Sequence, residues 1–378
     1  MSNESVIPYD WVATKMNHWY AAMKNNRPDV AEEMKEEVKR EIAMMEENQD
    51  VLVYFSLLEF RHELMLDYLY PDVERNINKR CEELKAALGN SNLNGMLEYY
   101  YHFFMGMFYF RQKEYTHSLM FYKRAEQEIE SLESEETEIE KADFYFKMAE
   151  LHYHMKQTYM SMHYASLAYR IFRNYPTYGV QRVHCQFVIS GNWLDNMRSE
   201  DALKNAFQAL EEAKELNINY LIGSSHFNIG ICYNQLEELN EADKHFQESV
   251  RFYKQESHSY EPKALFNLSL IKARKNELET AIHLYKEGKS LAEHHQNLEI
   301  IKKLKMVKGL YLSYNLSLVK ETFEFFEEKK LYPDMEWYGV LVAEYLAARK
   351  AYAEANEFYR NAIHARRQIQ RGGLLNEI

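Results

Sequence analysis

The stretch that decides the fold class is residues 228–249, NIGICYNQLEELNEADKHFQES. Small and large side chains follow one another in it at fixed spacings: Gly230, Tyr233, Leu239, Ala242, Phe246 and Ser249. Small residues let two helices approach closely, and aromatic residues fill the volume between successive helix pairs. The stretch therefore predicts a pair of closely packed helices.

The same spacing recurs along the chain. Its alanine-type position returns at Ser118, Ser161, Ala202, Ala242, Ala281 and Ala355, at intervals of 43, 41, 40, 39 and 74 residues. The last interval covers two units, with a degenerate one around Leu318. A period near 40 is typical of tetratricopeptide repeats with lengthened helices or loops. We predict an all-α protein in which residues 95–373 form a right-handed tetratricopeptide superhelix of about seven repeats.

Composition supports a helical chain and limits its partners. Glycine and proline number only 12 and 6 among 378 residues, too few for the turns of β-sandwiches and barrels. The net charge of −12 makes nucleic acid and anionic membranes poor partners. No apolar run approaches the roughly 20 residues that span a bilayer. Three scattered cysteines and a start without a signal peptide predict a cytoplasmic protein whose thiols are buried in helix cores.

The first 94 residues do not follow the repeat. Apolar residues at helical spacings predict three helices near 6–24, 29–48 and 50–69, so that residues 1–69 form a three-helix bundle. Pro71 interrupts the pattern, and a charged helix near 73–87 ends at Gly89. Residues 70–94 are therefore interpreted as a linker helix and a linker, with GNSNLNG at 89–95.

Motifs of conventional catalysis are missing from the sequence. His62 and Glu63 lack the second histidine of a zinc-protease helix, no glycine-rich phosphate loop occurs, and no metal site is predicted. The acidic run ESEETEIE at 133–140 is interpreted as a solvated loop. The unusual cluster is EENQD at 46–50, where the second and third helices meet. Either Asn48 or Asp50 is expected to cap the third helix.

Several longer motifs carry a family resemblance. They are MNHWY at 16–20, MEENQDVLVYFSLLEFRHELMLDYL at 45–69, GMLEYYYHFFMGMF at 95–108, IEKADFYFKMAELHYHMKQTYMSM at 139–162, FVISGNW at 187–193 and QIQRG at 368–372. With these motifs the chain resembles, over essentially its whole length, the Rap proteins of bacilli. That family comprises response-regulator aspartate phosphatases and non-catalytic relatives.

The resemblance implies a catalytic residue and a protein partner. In the family, a glutamine of the bundle corner orients water toward a receiver-domain aspartyl phosphate, and here it falls on Gln49. The receiver supplies its own Mg²⁺, so no cofactor of this chain is expected. Asn48 stands where the family often has aspartate. Residues implied to contact the response regulator are Glu46, Glu47, Leu52, Phe60, Met96 and Glu140.

The resemblance also implies a receptor for a short imported pheromone peptide that carries a basic residue. Asn228 matches the asparagine that holds the peptide backbone, and Asp195 matches the acid that pairs with the basic residue. Seven register positions separate the two, which places both on one helical face, expected to be the concave one. Lys302 stands where the family has a second acid. Two alternatives stay open: Asn228 as a packing residue and Asp195 as a surface acid at a helix end.

Three functions remain compatible with the sequence. The first is a peptide-inhibited aspartyl-phosphate phosphatase, which Gln49 favours. The second is a non-catalytic inhibitor that sequesters the DNA-binding domain of a response regulator until the peptide releases it. The third is a tetratricopeptide adaptor for chaperone tails, which would need a clear Lys/Arg carboxylate clamp that these acidic, aromatic repeats do not show.

Overall fold

This computed structural model describes residues 7–70, 75–89, 93–132 and 137–371. Within those ranges the chain folds into 18 α-helices and forms no strand, which confirms the all-α prediction. The helices are α1 Tyr9–Lys24, α2 Pro28–Ile42, α3 Gln49–Leu69, α4 Ile77–Leu88, α5 Gly95–Arg111, α6 Tyr115–Ser131, α7 Thr137–His154, α8 Thr158–Phe172, α9 Gly179–Asp195, α10 Ser199–Leu216, α11 Asn219–Gln235, α12 Leu239–Gln255, α13 Glu261–Arg274, α14 Leu278–His294, α15 Leu298–Val307, α16 Leu316–Glu328, α17 Tyr332–Ala348 and α18 Tyr352–Gln370.

The chain divides into two compact units, Met1–Phe144 and Tyr145–Ile378. The first unit contains the three predicted bundle helices, α4, the first predicted repeat and the beginning of α7. The second unit contains the rest of α7 and the later repeats. The boundaries drawn from the sequence at residues 69 and 94 remain a prediction about domains, and this division groups the helices differently.

The bundle helices follow from local signals. Pro28 occupies the first position of α2, where its missing N–H costs nothing. That helix ends at Ile42 instead of the predicted residue 48, because the backbone turns there to form the corner before α3. On α1 the predicted apolar stripe is buried at Val12, Met16 and Trp19, which have no exposed surface, whereas Trp11 is 71% exposed.

Bundle helices α1 and α3 pack against α5, the first helix of the first repeat. The rings of Tyr54 and Tyr100 stack with centroids 5.5 Å apart, and Tyr20 meets Tyr100 edge-on at 5.3 Å. Arg111, the last residue of α5, donates to the Asp67 carboxylate from Nη2 at 2.7 Å. Aromatic packing and one surface ion pair thus hold the bundle to the repeat within the first unit.

The helix pairs repeat one contact in the predicted register. In α9 the Ser190 hydroxyl donates to the carbonyl of Ala202, twelve residues later on the paired helix α10, at 3.3 Å. The same separation recurs between Ser161 and Ala149 at 2.9 Å and between Ser269 and Ala281 at 3.0 Å. These bonds require the close helix approach that small residues permit. The tetratricopeptide-type pairing predicted from spacing is confirmed.

Two other expectations can be compared with the described residues. The acidic run at 133–140 is not a solvated loop throughout: residues 133–136 lie outside the description, and Thr137 begins α7. Cys81, Cys185 and Cys232 are buried within helices, as predicted. Among the described helices, none combines the length and apolar character that a membrane crossing requires.

Candidate functional site: an exposed glutamine at a bundle corner

The EENQD cluster forms the corner between α2 and α3. Asn48 is the N-cap of α3, and its Oδ1 accepts a hydrogen bond from the Val51 backbone N–H at 3.1 Å. Of the two residues expected as the cap, the structure therefore selects Asn48. Capping satisfies one of the unpaired N–H groups of the first turn and sets the direction in which the helix begins.

The corner is also attached to the amino-terminal segment. The Ile7 backbone N–H donates to the carbonyl of Met44 at 2.9 Å, and the Glu46 N–H donates to the carbonyl of Ile7 at 3.0 Å. Two backbone bonds on one side and a side-chain cap on the other fix the path of residues 44–48. The residue that follows, Gln49, therefore starts from a defined backbone position.

Gln49 is the first residue of α3, and its side chain is exposed. Its neighbours Glu46, Glu47 and Asp50 are exposed as well. Leu52, one helical turn after Gln49, keeps 36% of its surface exposed. The corner thus presents one neutral amide among carboxylates, with an apolar side chain beside it at a helix N-terminus.

Two other predicted regulator contacts occupy different environments. Phe60 is only 2% exposed, and its ring lies 6.0 Å from that of Phe108 on α5. Met96, near the start of α5, is half-buried. In this arrangement the Phe60 side chain belongs to the interface between α3 and α5 and is closed to a partner protein.

Glu140 lies inside the first unit, in a buried ion cluster. Lys24 Nζ is 2.7 Å from Glu140 Oε1 and 3.1 Å from Asp143 Oδ2, and each of the three side chains is at most 15% exposed. Burial raises the pKa of Glu140, while the Lys24 ammonium opposes that rise. The Tyr99 hydroxyl also donates to the Glu140 carbonyl at 3.3 Å. The cluster attaches the end of α1 to α7, so the Glu140 carboxylate faces the bundle and not the solvent.

Two of the three predicted peptide contacts, Asp195 and Asn228, lie on neighbouring repeats of the second unit. Asp195 ends α9, and Asn228 lies in the middle of α11, where its Nδ2 donates to the carbonyl of Ser224 at 3.0 Å. Gln235 donates to the carbonyl of Leu194 at 3.2 Å, which brings the ends of α9 and α11 to the same level. Asn228 is seven residues before Gln235, or roughly 10 Å along the helix. An extended peptide of three or four residues covers that distance.

Comparisons with known proteins show which family the chain resembles. A family model for response regulator aspartate phosphatase H, N terminal, matches residues 6–67, which include the corner. Response regulator aspartate phosphatase I of Bacillus subtilis (strain 168) is 40% identical over 372 residues, covering 98% of this chain and 94% of the relative. Phosphatase A of the same organism is 39% identical and is matched over the full length of both chains.

The chain belongs to the family of response regulator aspartate phosphatases. Among solved structures, a Rap protein complexed with Competence and Sporulation Factor aligns with a TM-score of 0.86 at 36% identity, covering 97% of this chain and 100% of that one. The family resemblance inferred from the motifs is therefore confirmed. The roles of individual residues in this Rap family member remain predictions.

The structure adds Asn267 to the candidate peptide face of this Rap family member. Asn267 lies 39 residues after Asn228, on α13, and its Nδ2 donates to the carbonyl of Lys263 at 2.9 Å, as Asn228 does to Ser224. Lys263 in turn lies over the Phe227 ring at 4.9 Å. The 39-residue step between repeats could have revealed Asn267 from the sequence. We call Asp195, Asn228 and Asn267 the candidate peptide face.

Lys302 does not join that face through its described contacts. Its Nζ lies 2.5 Å from Glu321 Oε1 on α16, the second helix of the same repeat. Its neighbour Lys303 is the buried lysine, with Nζ 2.7 Å from Asp334 Oδ1 on α17. A contact between Lys302 and a peptide remains a prediction. Within the described ranges, no group of three or more metal-ligating side chains is placed to hold a metal ion.

Proposed function

We propose that this chain dephosphorylates the aspartyl phosphate of a response-regulator receiver domain and that Gln49 orients the attacking water. The observation that carries the proposal is the placement of Gln49: an exposed neutral amide at the first position of α3, held by the Asn48 cap. Membership of the response regulator aspartate phosphatase family supports it. Leu52, on the same exposed side of α3, gives a partner an apolar contact beside the amide.

The chemistry needs little from this protein. An aspartyl phosphate is already an activated acyl phosphate, and the receiver domain provides the Mg²⁺ that neutralises its charge. The phosphatase therefore has only to hold a water in line with the leaving carboxylate, as a glutamine does in GTPases. An amide can accept from the water and donate to a phosphoryl oxygen without adding negative charge. Glu46 and Glu47 would repel the phosphoryl group, which suits them to basic residues of the regulator.

The second unit is proposed to bind a short pheromone peptide that carries a basic residue and inhibits the phosphatase. Asn228 offers an amide to a peptide backbone, and Asp195 offers a carboxylate to the basic side chain. Asn267 repeats the amide geometry of Asn228 one repeat later but is 6% exposed in this structure. The Rap protein solved with Competence and Sporulation Factor supports peptide binding in this family.

The test follows catalysis and binding separately. Purified wild-type protein and the Gln49→Ala variant are incubated with a panel of ³²P-labelled response regulators. Label loss, regulator binding and the binding of each regulator to its operator DNA are measured. Gln49→Ala is expected to abolish label loss while leaving regulator affinity within several-fold, because the amide supplies water orientation and little contact area. Gln112→Ala, the same change at an exposed glutamine that follows α5, serves as the matched control and should retain turnover.

Two outcomes would change the conclusion. Full phosphatase activity of Gln49→Ala would remove Gln49 from the mechanism. If no regulator loses label but the protein blocks a regulator from binding its operator DNA, the function is sequestration and not catalysis.

A further inference from the structure

The turn between α7 and α8 contains a lysine at a position where the fold requires only a positive backbone φ angle. Lys156 has φ of 57°, in the left-handed region, and lies seven residues after the small Ala149. The equivalent positions in later turns also have positive φ: Glu237 at 61° and Asn276 at 63°. Residues of different chemistry thus serve the same turn. The backbone does not require lysine at position 156.

The Lys156 side chain extends to the next repeat, where its ammonium forms an ion pair with the Asp195 carboxylate. Its Nζ lies 2.8 Å from Oδ1 and 2.8 Å from Oδ2, so the ammonium sits between the two oxygens. The same ammonium lies 5.2 Å from the centre of the Tyr153 ring. Asp195 is the acid proposed to receive the basic residue of the peptide, and in this structure a cation of the protein already holds it.

The ion pair is accessible from the solvent, so a ligand can compete for the Asp195 carboxylate. The Lys156 side chain is 21% exposed and the Asp195 side chain 24% exposed. A partly exposed lysine–carboxylate pair contributes little, because water screens it and the flexible lysine loses side-chain freedom. An arginine can donate two parallel hydrogen bonds to a carboxylate, which a lysine ammonium cannot match in geometry. A peptide arginine can therefore displace Lys156.

We infer that Lys156 is an internal competitor at the candidate peptide face, which must be displaced from Asp195 before a basic peptide residue can bind there. The inference rests on the proposed peptide-receptor function. A peptide without a cation cannot replace the ammonium, so Lys156 stays in place and Asp195 contributes nothing to that peptide. Lys156 thus lowers the affinity for cationic peptides and acts as a specificity-determining residue.

A second carboxylate lies near the displaced lysine. Glu336 on α17 is half-buried, and burial raises its pKa; the Arg366 guanidinium, with Nε 3.8 Å from Glu336 Oε1, and then the Lys156 ammonium oppose that rise, and the Asp195 carboxylate adds to it. The field of Lys156 therefore already reaches Glu336.

The experiment compares arginine and citrulline at the same peptide position. Five pools of pentapeptides, each with arginine fixed at one position, are selected on the wild-type protein. The best binder and its citrulline twin, which has the same shape without the charge, are then titrated by calorimetry. Three variants are compared: Lys156→Asn, Asp195→Asn and, as the control, Lys147→Met. Asparagine is chosen at position 156 because Asn276 occupies the equivalent turn. Lys147 lies on α7, before the turn that contains Lys156, and is paired with Glu150 at 2.6 Å, without contacting Asp195.

In Lys156→Asn we expect the arginine peptide to bind about fivefold more tightly, which is about 1 kcal/mol at 1.4 kcal/mol per tenfold, the upper end for an exposed ion pair. The citrulline peptide should show no gain, so the preference for arginine rises by the same factor. Asp195→Asn should abolish that preference, and Lys147→Met should leave both affinities unchanged.

The outcomes separate the inference from the function on which it rests. If Lys156→Asn lowers the affinity for both peptides by the same factor, Lys156 supports the site structurally and the inference is wrong. An equal gain in Lys147→Met would mean that only the general loss of positive charge matters, and this also overturns it. If no pool binds the wild type or Lys156→Asn, the proposed peptide-receptor function fails and the inference with it.

Discussion

At the scale of single residues, a buried histidine in the bundle has its tautomer fixed by its neighbours. Trp19 Nε1 donates to His62 Nδ1 at 2.9 Å, and both residues are fully buried. The ring proton must then lie on Nε2, which is 3.0 Å from Glu32 Oε2. Protonating Nδ1 would remove the acceptor of the tryptophan N–H. The pKa of His62 falls from its ordinary 6.5 to about 4, first because of burial and then because of Lys35, while Glu32 opposes the change.

This lowered pKa predicts how stability depends on pH. Between pH 6.5 and about 4 the unfolded chain holds one more proton at His62 than the folded chain. The free energy of unfolding should therefore fall by roughly 1.4 kcal/mol for each unit of decreasing pH in that window. His62→Gln, whose amide oxygen can still accept from Trp19, should lose this part of the slope in urea unfolding between about pH 7 and 5.

The exposed His283 provides the control. Its change to glutamine should leave the slope unaltered, since its side chain is 79% exposed. Equal slopes for the wild type and His62→Gln would contradict the assigned role of His62.

At the scale of helix pairs, the repeat depends on side-chain size at one register position. A Cβ atom added to Gly230 of α11 would lie 2.8 Å from the Phe246 ring on α12, closer than carbon atoms pack. Phe246 is fully buried and meets the ring of Phe227 at 5.6 Å. Glycine is kept within a helix here because the aromatic ring occupies the space that a methyl group would fill.

Gly230→Ala is therefore expected to destabilise the protein although alanine is the better helix former by about 1 kcal/mol. Forcing a methyl group into a filled core costs about 1–3 kcal/mol. The measurement is the urea midpoint followed by circular dichroism. Adding Phe246→Leu should recover part of the loss when compared with Phe246→Leu alone, because the smaller side chain makes room. An unchanged or raised midpoint in Gly230→Ala would show that the two helices move apart freely.

At the scale of the whole molecule, the proposed regulator contacts do not share one accessible surface. Gln49 and Leu52 are exposed, whereas Phe60 and Glu140 are buried between the bundle and helices α5 and α7 of the first unit. A regulator that uses all four must separate the bundle from these helices. A ligand that favours the packed arrangement would then oppose the regulator, because each binds a different arrangement.

The two ligands should consequently weaken each other by the same factor. Under the proposed function we expect a saturating peptide to reduce regulator affinity about 5–150-fold, the usual range for such coupling. Saturating regulator should reduce peptide affinity equally. Calorimetric titrations of each ligand in the presence and absence of the other measure both factors. Unequal factors, or simultaneous binding without loss, would exclude this coupling.

Local patterns predicted most of the helices. The 3.6-residue periodicity identified α1 and α3, and the recurring small residues predicted the helix pairs. Both features depend only on residues that are close together in the sequence. The end of α2 was misplaced by six residues, since its last predicted turn instead forms the corner tied to Ile7. The hydrogen bonds between Ile7 and this corner join residues far apart in sequence, and helix periodicity does not predict them.

The sequence by itself determined the repeat register, the family, the exposed corner with Gln49 and the buried thiols. Tertiary packing decided that Glu140 faces Lys24, 116 residues away, and that Lys156 holds Asp195, 39 residues away. It also decided that Lys303 and not Lys302 reaches Asp334. A sequence pattern fixes which face of its own helix a side chain occupies. Whether a charge on that face meets a partner depends on the crossing of helices distant in the chain, which no local pattern specifies.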